Sequence, residues 1–206
     1  MNRTFRALCR NSWLLPTTAF LLSACSTMST PPSAPAVKIP LKTRQVALNQ
    51  INNWQITGKI GVRSANDSGS ATVDWVQHDN RYMISLTGPM GANSMKLTGR
   101  PGEVALDMSN GKHFTASSPE ELLAKQWGYH LPVSNMKYWI RGLPVPGAIS
   151  NPRYDSYNRL SSLQQQGWNV QFLSYMNSGG RDVPSRISLN SPALQVKIVV
   201  YQWKAS

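Results

Sequence analysis

The sequence is poor in the residues that catalysis and metal binding draw on. Its 206 positions hold nine Asp and Glu, three His and two Cys. His78, His113 and His130 stand far apart, and none belongs to an H-E-x-x-H spacing. The carboxylates form no evident catalytic pair, and Gly-x-Ser-x-Gly is absent. No catalytic residue, metal ligand set or cofactor is therefore expected. A Ser-His-Asp site assembled from distant positions is the one enzymatic arrangement a single sequence leaves open. A membrane-spanning run is missing too. The apolar stretch Trp13 to Leu22 is broken by Pro16, Thr17 and Thr18, whereas a spanning helix needs about 20 mostly apolar residues.

What is present begins with a leader. Arg3, Arg6 and Arg10 form a positive region with no acidic residue among the first 24 positions. The following apolar stretch has the length of a secretory h-region. It ends in Leu22-Ser23-Ala24-Cys25, which resembles a lipobox, the site where a signal peptidase cuts just before a Cys already carrying a diacylglyceryl group on its sulfur. Residues 1–24 are read as a lipoprotein signal peptide and Cys25 as the lipidated first residue of the mature chain. An ordinary signal peptide with a chance Cys accounts for fewer of these features. Cys9 leaves with the leader, so the mature body has neither free thiol nor disulfide, and its core alone must hold the fold. The remaining 182 of the 206 residues suffice for one domain with a substantial core. Ser26 follows the Cys. By resemblance to Gram-negative sorting signals, Ser here rather than Asp implies passage to the outer membrane, with the protein anchored in its inner leaflet and facing the periplasm.

Residues 25–40 read as the lipidated N-terminus and a tether. Pro31, Pro32, Pro35 and Pro40 alternate with Ser, Thr and Ala, a composition that builds no core. At ~3.1 Å per residue in a polyproline-like form it reaches roughly 45 Å.

From residue 41 to 206 the periodicity is mostly that of strands. A first helix is expected over Leu41 to Asn52, with Leu41, Leu48 and Ile51 near one face and Lys42, Arg44 and Gln45 elsewhere. Then the period falls to two. Trp54, Ile56, Ile60 and Val62 share a face, as do Ala71, Val73 and Trp75, and again Tyr82, Ile84 and Leu86. Turns are expected at Asp67-Ser68-Gly69 and His78-Asp79-Asn80, which makes an antiparallel meander. Met95 and Leu97, then Val104, Leu106 and Met108, continue it, and Asn110-Gly111 reads as a two-residue hairpin turn. Ser118, Pro119 and Glu121 form a capping box for a helix carrying Leu122, Leu123 and Trp127 and ending near Gly128. A second helix is expected over Ser134 to Arg141, ended by Gly142 and Pro144. Strand patterns return at Arg159–Gln165, Asn169–Tyr175, Arg186–Leu189 and Leu194–Trp203. The class is α+β, mainly antiparallel β, with a barrel or sandwich as the architecture.

The chain resembles the LolB family of outer-membrane lipoprotein receptors. The resemblance runs through Trp54-Gln-Ile-Thr-Gly-Lys-Ile-Gly-Val62, Trp75-Val-Gln77, Arg81-Tyr82, Leu86-Thr-Gly-Pro-Met-Gly91, Pro101-Gly102 and Gly111-Lys-His-Phe-Thr-Ala116. Its most specific element is Trp139-Ile-Arg-Gly-Leu-Pro-Val-Pro-Gly147, followed by Gly167-Trp-Asn-Val170, Pro184-Ser-Arg-Ile187 and the strand Val196 to Trp203. The order of these elements, with the lipobox and chain length, makes the match specific. It implies an incomplete β-barrel whose apolar cavity is covered by short helices, a fold shared with the soluble carrier LolA. It also implies a monomer that accepts acylated lipoproteins from the periplasmic carrier LolA and inserts them into outer-membrane phospholipid. An exported lipid hydrolase and a structural envelope lipoprotein are the competing readings.

Under this resemblance Trp54, Ile56, Val73, Trp75, Ile84, Leu86, Leu97 and Leu106 are candidate acyl-chain cavity residues, and Leu122, Leu123, Trp139 and Ile140 candidate lid residues. For each of them plain core packing is the competing account. Pro89 and Met90 form the candidate membrane-insertion loop. A tight turn favours Gly and Pro for backbone reasons but has no use for a large apolar side chain. The family carries an exposed Leu where Met90 stands, and commonly Asn in place of Gly88; a Met folded back onto the sheet is the alternative. The formal charge of +12, +9 without the three leader arginines, favours anionic partners. Nucleic acid is not expected for an exported chain with no recognised motif. Anionic headgroups or an acidic face of the carrier fit, and so does a merely solvated basic surface.

Overall fold

The computed structural model describes residues 37–91 and 93–205. The leader, Cys25 and all but the last residues of the tether lie outside them. Helix α1 (Leu41–Asn49) leads into β1 (Asn53–Arg63), β2 (Ser68–His78), β3 (Arg81–Thr87), β4 (Met95–Arg100), β5 (Glu103–Met108) and β6 (His113–Ala116). Helices α2 (Pro119–Trp127) and α3 (Val133–Trp139) follow, then β7 (Ser150–Tyr154), β8 (Leu160–Gln165), β9 (Trp168–Ser178), β10 (Arg181–Asn190) and β11 (Gln195–Ala205).

All eleven strands form one sheet in the order β6-β5-β4-β3-β2-β1-β11-β10-β9-β8-β7, and every neighbouring pair is antiparallel. Two meanders meet where the first strand pairs with the last. The outer strands β6 and β7 do not pair with each other, so the sheet stays open. The expected alternation builds its inner face: Trp54, Ile56 and Ile60 of β1, Val73 and Trp75 of β2, and Val196, Ile198 and Val200 of β11 are all buried. Each such side chain contributes about 1.5–3 kcal/mol when fully buried. Trp54 is the centre of an aromatic cluster, its ring 5.2 Å from Trp75 and 5.4 Å from Trp203. Opposite Thr57 and Gly58 the register between β1 and β11 shifts by one residue, leaving Tyr201 unmatched, a bulge that bends β11.

Several boundaries differ from the sequence reading. The β1–β2 bend lies at Ala65–Asn66, because Ser64 N donates to Asp67 O at 2.8 Å and Ser64 Oγ accepts from Asp67 N at 3.0 Å. Ser68 and Gly69 already belong to the β2 ladder. The β5–β6 hairpin uses a longer loop than Asn110-Gly111 alone, with Met108 N donating to Lys112 O and positive φ only at Gly111. The capping box is displaced: Ser118 Oγ accepts from Glu121 N at 3.2 Å, but the Glu121 carboxylate accepts from Ser117, one residue early. Helix α1 stops at Asn49, and Arg44 is buried, with Nη2 3.3 Å from both Asp182 Oδ2 and Tyr157 O. Strand β10 begins five residues before the expected Arg186, because β9 pairs with it from Arg181; β11 pairs with it only from Arg186 onward, which leaves Pro184 on a stretch with no ladder donor to supply on that side. Strand β7 lacks apolar alternation and has no counterpart among the expected strands.

Candidate functional site

The inner face of the sheet is covered by a helical hairpin. Helix α2 is capped by Ser118 and stopped by Gly128 at φ 71°, and α3 returns after a five-residue connection. Leu122 and Trp139 anchor it. Both are fully buried, and Trp139 Nε1 donates to Gln165 Oε1 at 3.1 Å. Leu123 and Ile140 instead face inward, across a small apolar pocket of ≈ 70 Å³. Its opposite wall brings together Ile56, Val73, Trp75, Ile84, Leu86, Leu97 and Leu106. Trp54 is not on that wall; it packs between Trp75 and Trp203. Pockets that hold small molecules run to about 300–1,000 Å³, so in this state the helices close the hollow with their own side chains.

The hollow continues into a larger chamber. At the end of the sheet where β1 passes to β2 and β3 to β4, a chamber of ≈ 920 Å³ opens to solvent. It shares Ile60, Leu86, Met95, Leu123 and Leu131 with the closed pocket, so the two cavities adjoin along an apolar boundary. The rim is polar, with Arg63, Asp67 and Lys197. Tyr129, in the α2–α3 connection, places its hydroxyl 3.0 Å from Ser64 Oγ. This hydrogen bond ties the helical hairpin to the β1–β2 bend across the mouth. Sequence reading passed over Tyr129, a single aromatic residue in a loop with no periodic partner.

Pro89 and Met90 stand at the same mouth. Gly88 and Pro89 line the chamber. Met90 forms the tip of a single 3-10 turn with φ 57° and ψ 23°, and its side chain is fully exposed; it does not fold back onto the sheet. A non-glycine residue held in the left-handed region costs about 1–3 kcal/mol, and no buried contact here repays it.

The described residues contain no group of three or more His, Cys, Asp or Glu placed to hold a metal ion. His113 Nδ1 lies 2.7 Å from Asp107 Oδ1 on the β5–β6 hairpin, and neither residue lines the hollow. No described helix is long and apolar enough to cross a membrane.

The family model for outer membrane lipoprotein LolB matches residues 52–203. The chain belongs to the LolB family. An outer-membrane lipoprotein LolB of Pseudomonas syringae pv. syringae is 40% identical over 186 residues, covering 89% of this chain and 91% of that one. Its counterpart in Pseudomonas putida strain GB-1 is 45% identical over 157 residues, 76% of this chain and 77% of that one. Among solved structures, a LolA-superfamily protein from Nitrosomonas europaea superposes with a TM-score of 0.51 at 10% identity, covering 82% of this chain and 94% of that one. A DUF1329-family protein from Desulfovibrio piger gives 0.55 at 6% identity, with 81% and 90% covered. At such identities these two establish the open-sheet fold alone. Membership in the LolB family makes the chain an outer-membrane lipoprotein of the lipoprotein-localisation system, a family of transport proteins.

Proposed function

We propose that the chain is the receiving station of lipoprotein localisation: it accepts lipoproteins from the periplasmic carrier LolA, holds their acyl chains in the hollow, and inserts them into the inner leaflet of the outer membrane. The observation that carries this reading is the chamber at the mouth adjoining, through shared apolar side chains, the closed pocket beneath α2 and α3. Each CH₂ removed from water contributes about 0.8 kcal/mol, so an acyl chain entering the chamber has a large driving force to displace the helical hairpin. Leu123 and Ile140 then give up their contacts across the pocket, and the lining of Ile56, Val73, Trp75, Ile84, Leu86, Leu97 and Leu106 meets the chain instead. Trp54 flanks that wall, packed against Trp75 and Trp203. Transfer needs no cofactor and no catalytic residue if the receiver holds the chains more tightly than the carrier, and the bilayer more tightly still. Cys25 anchors this monomer in the membrane it serves, and Pro89 and Met90 engage outer-membrane phospholipid at release.

Incubating the protein with a carrier–lipoprotein complex tests the reading. The lipoprotein should move to the receiver without nucleotide and with its acyl chains intact. Lipoprotein that stays on the carrier sinks the receptor, and released fatty acid would reveal a hydrolase.

A further inference from the structure

Two guanidinium groups are buried in this domain to similar depth, Arg44 at 5% and Arg141 at 6% exposure. Arg44 has a counterion, Asp182, at 3.3 Å. Arg141 has none among the described residues. Its Nε donates to Lys137 O and its Nη1 to Ile51 O, each at 2.9 Å, and the guanidinium stands 5.2 Å from the centre of the Tyr138 ring. Carbonyl dipoles and a ring face offset part of the charge; a buried arginine is ordinarily paired with a full negative charge. A guanidinium carries five N–H donors, so the two carbonyls leave several unused.

The space beside it is a polar pocket of ≈ 400 Å³ at the pole of the sheet opposite the mouth, bounded by Asn52 after α1, Asn80 in the β2–β3 turn and Lys137 at the end of α3. Lys137 Nζ lies 5.2 Å from the Tyr138 ring centre and has no carboxylate partner among the described residues either. It reaches the adjoining ≈ 180 Å³ pocket as well, where the buried hydroxyl of Tyr82 has no hydrogen-bond partner. The carboxylate on the wall, Asp79, is exposed and sits 3.5 Å from His78 Nδ1.

We infer that this closed pole is a phosphate-binding site, with the buried Arg141 guanidinium and the Lys137 ammonium as its paired cations. A phosphate group carrying between one and two negative charges matches the two cations and offers acceptor oxygens to the unused guanidinium donors. Phosphate occurs free in solution and, as a singly charged diester with the same acceptor oxygens, in phospholipid headgroups. Headgroups are within reach, since the tether joins the domain at this pole: Asn158 Nδ2, in the β7–β8 turn, donates to Ile39 O at 2.8 Å. Nothing in the proposed receptor function requires this site, which lies at the other end of the sheet from the mouth.

The test is a titration of the full-length protein in dodecyl maltoside micelles, followed through the Arg141 Nε–H resonance by NMR. Inorganic phosphate should move that resonance at millimolar concentration. Lys137→Gln, a half-buried helix position where Gln keeps most of the stem and the backbone carbonyl that Arg141 uses, should weaken the response about tenfold, while Lys59→Gln on the exposed side of β1 should leave it unchanged. A resonance that ignores phosphate overturns the site, as does equal weakening by both substitutions. Short-chain dihexanoyl phosphatidylglycerol supplies the second arm. A tighter response to it than to inorganic phosphate assigns the site to headgroups, and the reverse assigns it to free phosphate.

Discussion

Met90 combines two unfavourable features in one side chain: a left-handed backbone and complete exposure of an apolar group. Folding alone selects against both, which is why the residue stands out for interaction with something outside the domain. Burying a Met side chain in the bilayer interface contributes up to about 1.5–3 kcal/mol. Met90→Glu removes that contribution and adds repulsion from anionic lipid, so it should accept a lipoprotein from the carrier and fail to transfer it to liposomes, the two steps being read separately in solution and by flotation. Loss of the first step would move the loop to the carrier interface. Met90→Gly makes the complementary case. Glycine adopts φ 57° without steric cost, so this variant should be more stable than the parent by about 1 kcal/mol in denaturant unfolding, yet it should also insert poorly. A variant that is both stabler and fully active would reduce Met90 to a turn residue.

At the scale of the elements, the helical hairpin over the sheet is the part that must move. Its tie across the mouth is the hydrogen bond between Tyr129 and Ser64, worth about 0.5–1.5 kcal/mol. Tyr129→Phe keeps the ring and removes the tie, so amide exchange in α2 and α3 should accelerate up to about tenfold while the sheet stays protected; unchanged exchange would remove Tyr129 from the gate. The start of α2 is held by charge. Lys125 and the Ser117 hydroxyl and backbone N–H, all bonded to the Glu121 carboxylate, lower its pKa from the ordinary 4.5 to about 2. A depressed carboxylate stabilises the folded form above its ordinary pKa and loses that contribution as pH falls. Fraying of α2, followed by amide exchange, should therefore grow between pH 4.5 and 2, and Glu121→Gln should flatten that dependence. These elements also mark how far the sequence was legible. Alternation located β1 to β5 and β11 because one face of each is buried, and Ser118-Pro119 with Gly128 bracketed α2. Strand β7, with its Pro152 and no apolar face, takes its structure from pairing with β8, which no local pattern encodes. Arg44 looked like a solvated helix residue because its partner, Asp182, is 138 positions away. The pocket wall was readable from the same alternation that made the strands, but Trp54 shares that alternation and packs elsewhere.

For the molecule as a whole, the seam between β1 and β11 joins the two meanders, and the curvature of the hollow depends on it. Hydrogen bonding and apolar packing both cross here, and β11 bulges at Tyr201, opposite Gly58. A Cβ at Gly58 would collide with the backbone carbonyl of Val199 on β11, closer than a real contact allows. Gly61 on the same strand offers a matched comparison, since a Cβ there would find its nearest neighbour at an ordinary 3.9 Å. Both positions lie in strand and neither has positive φ. Replacing glycine by alanine restricts the unfolded chain and stabilises by about 0.4–1 kcal/mol where the native site has room. Gly61→Ala should therefore be neutral or slightly stabilising. Gly58→Ala must push β11 away from β1, an overpacking cost of about 1–3 kcal/mol or more, read as a lower unfolding midpoint in urea. If the seam also shapes the hollow, a folded Gly58→Ala protein should hold acyl chains more weakly than Gly61→Ala at equal temperature. Equal stability of the two variants would show that the strands part there without cost, and the bend would then have to come from the packing of the helical hairpin rather than from the seam.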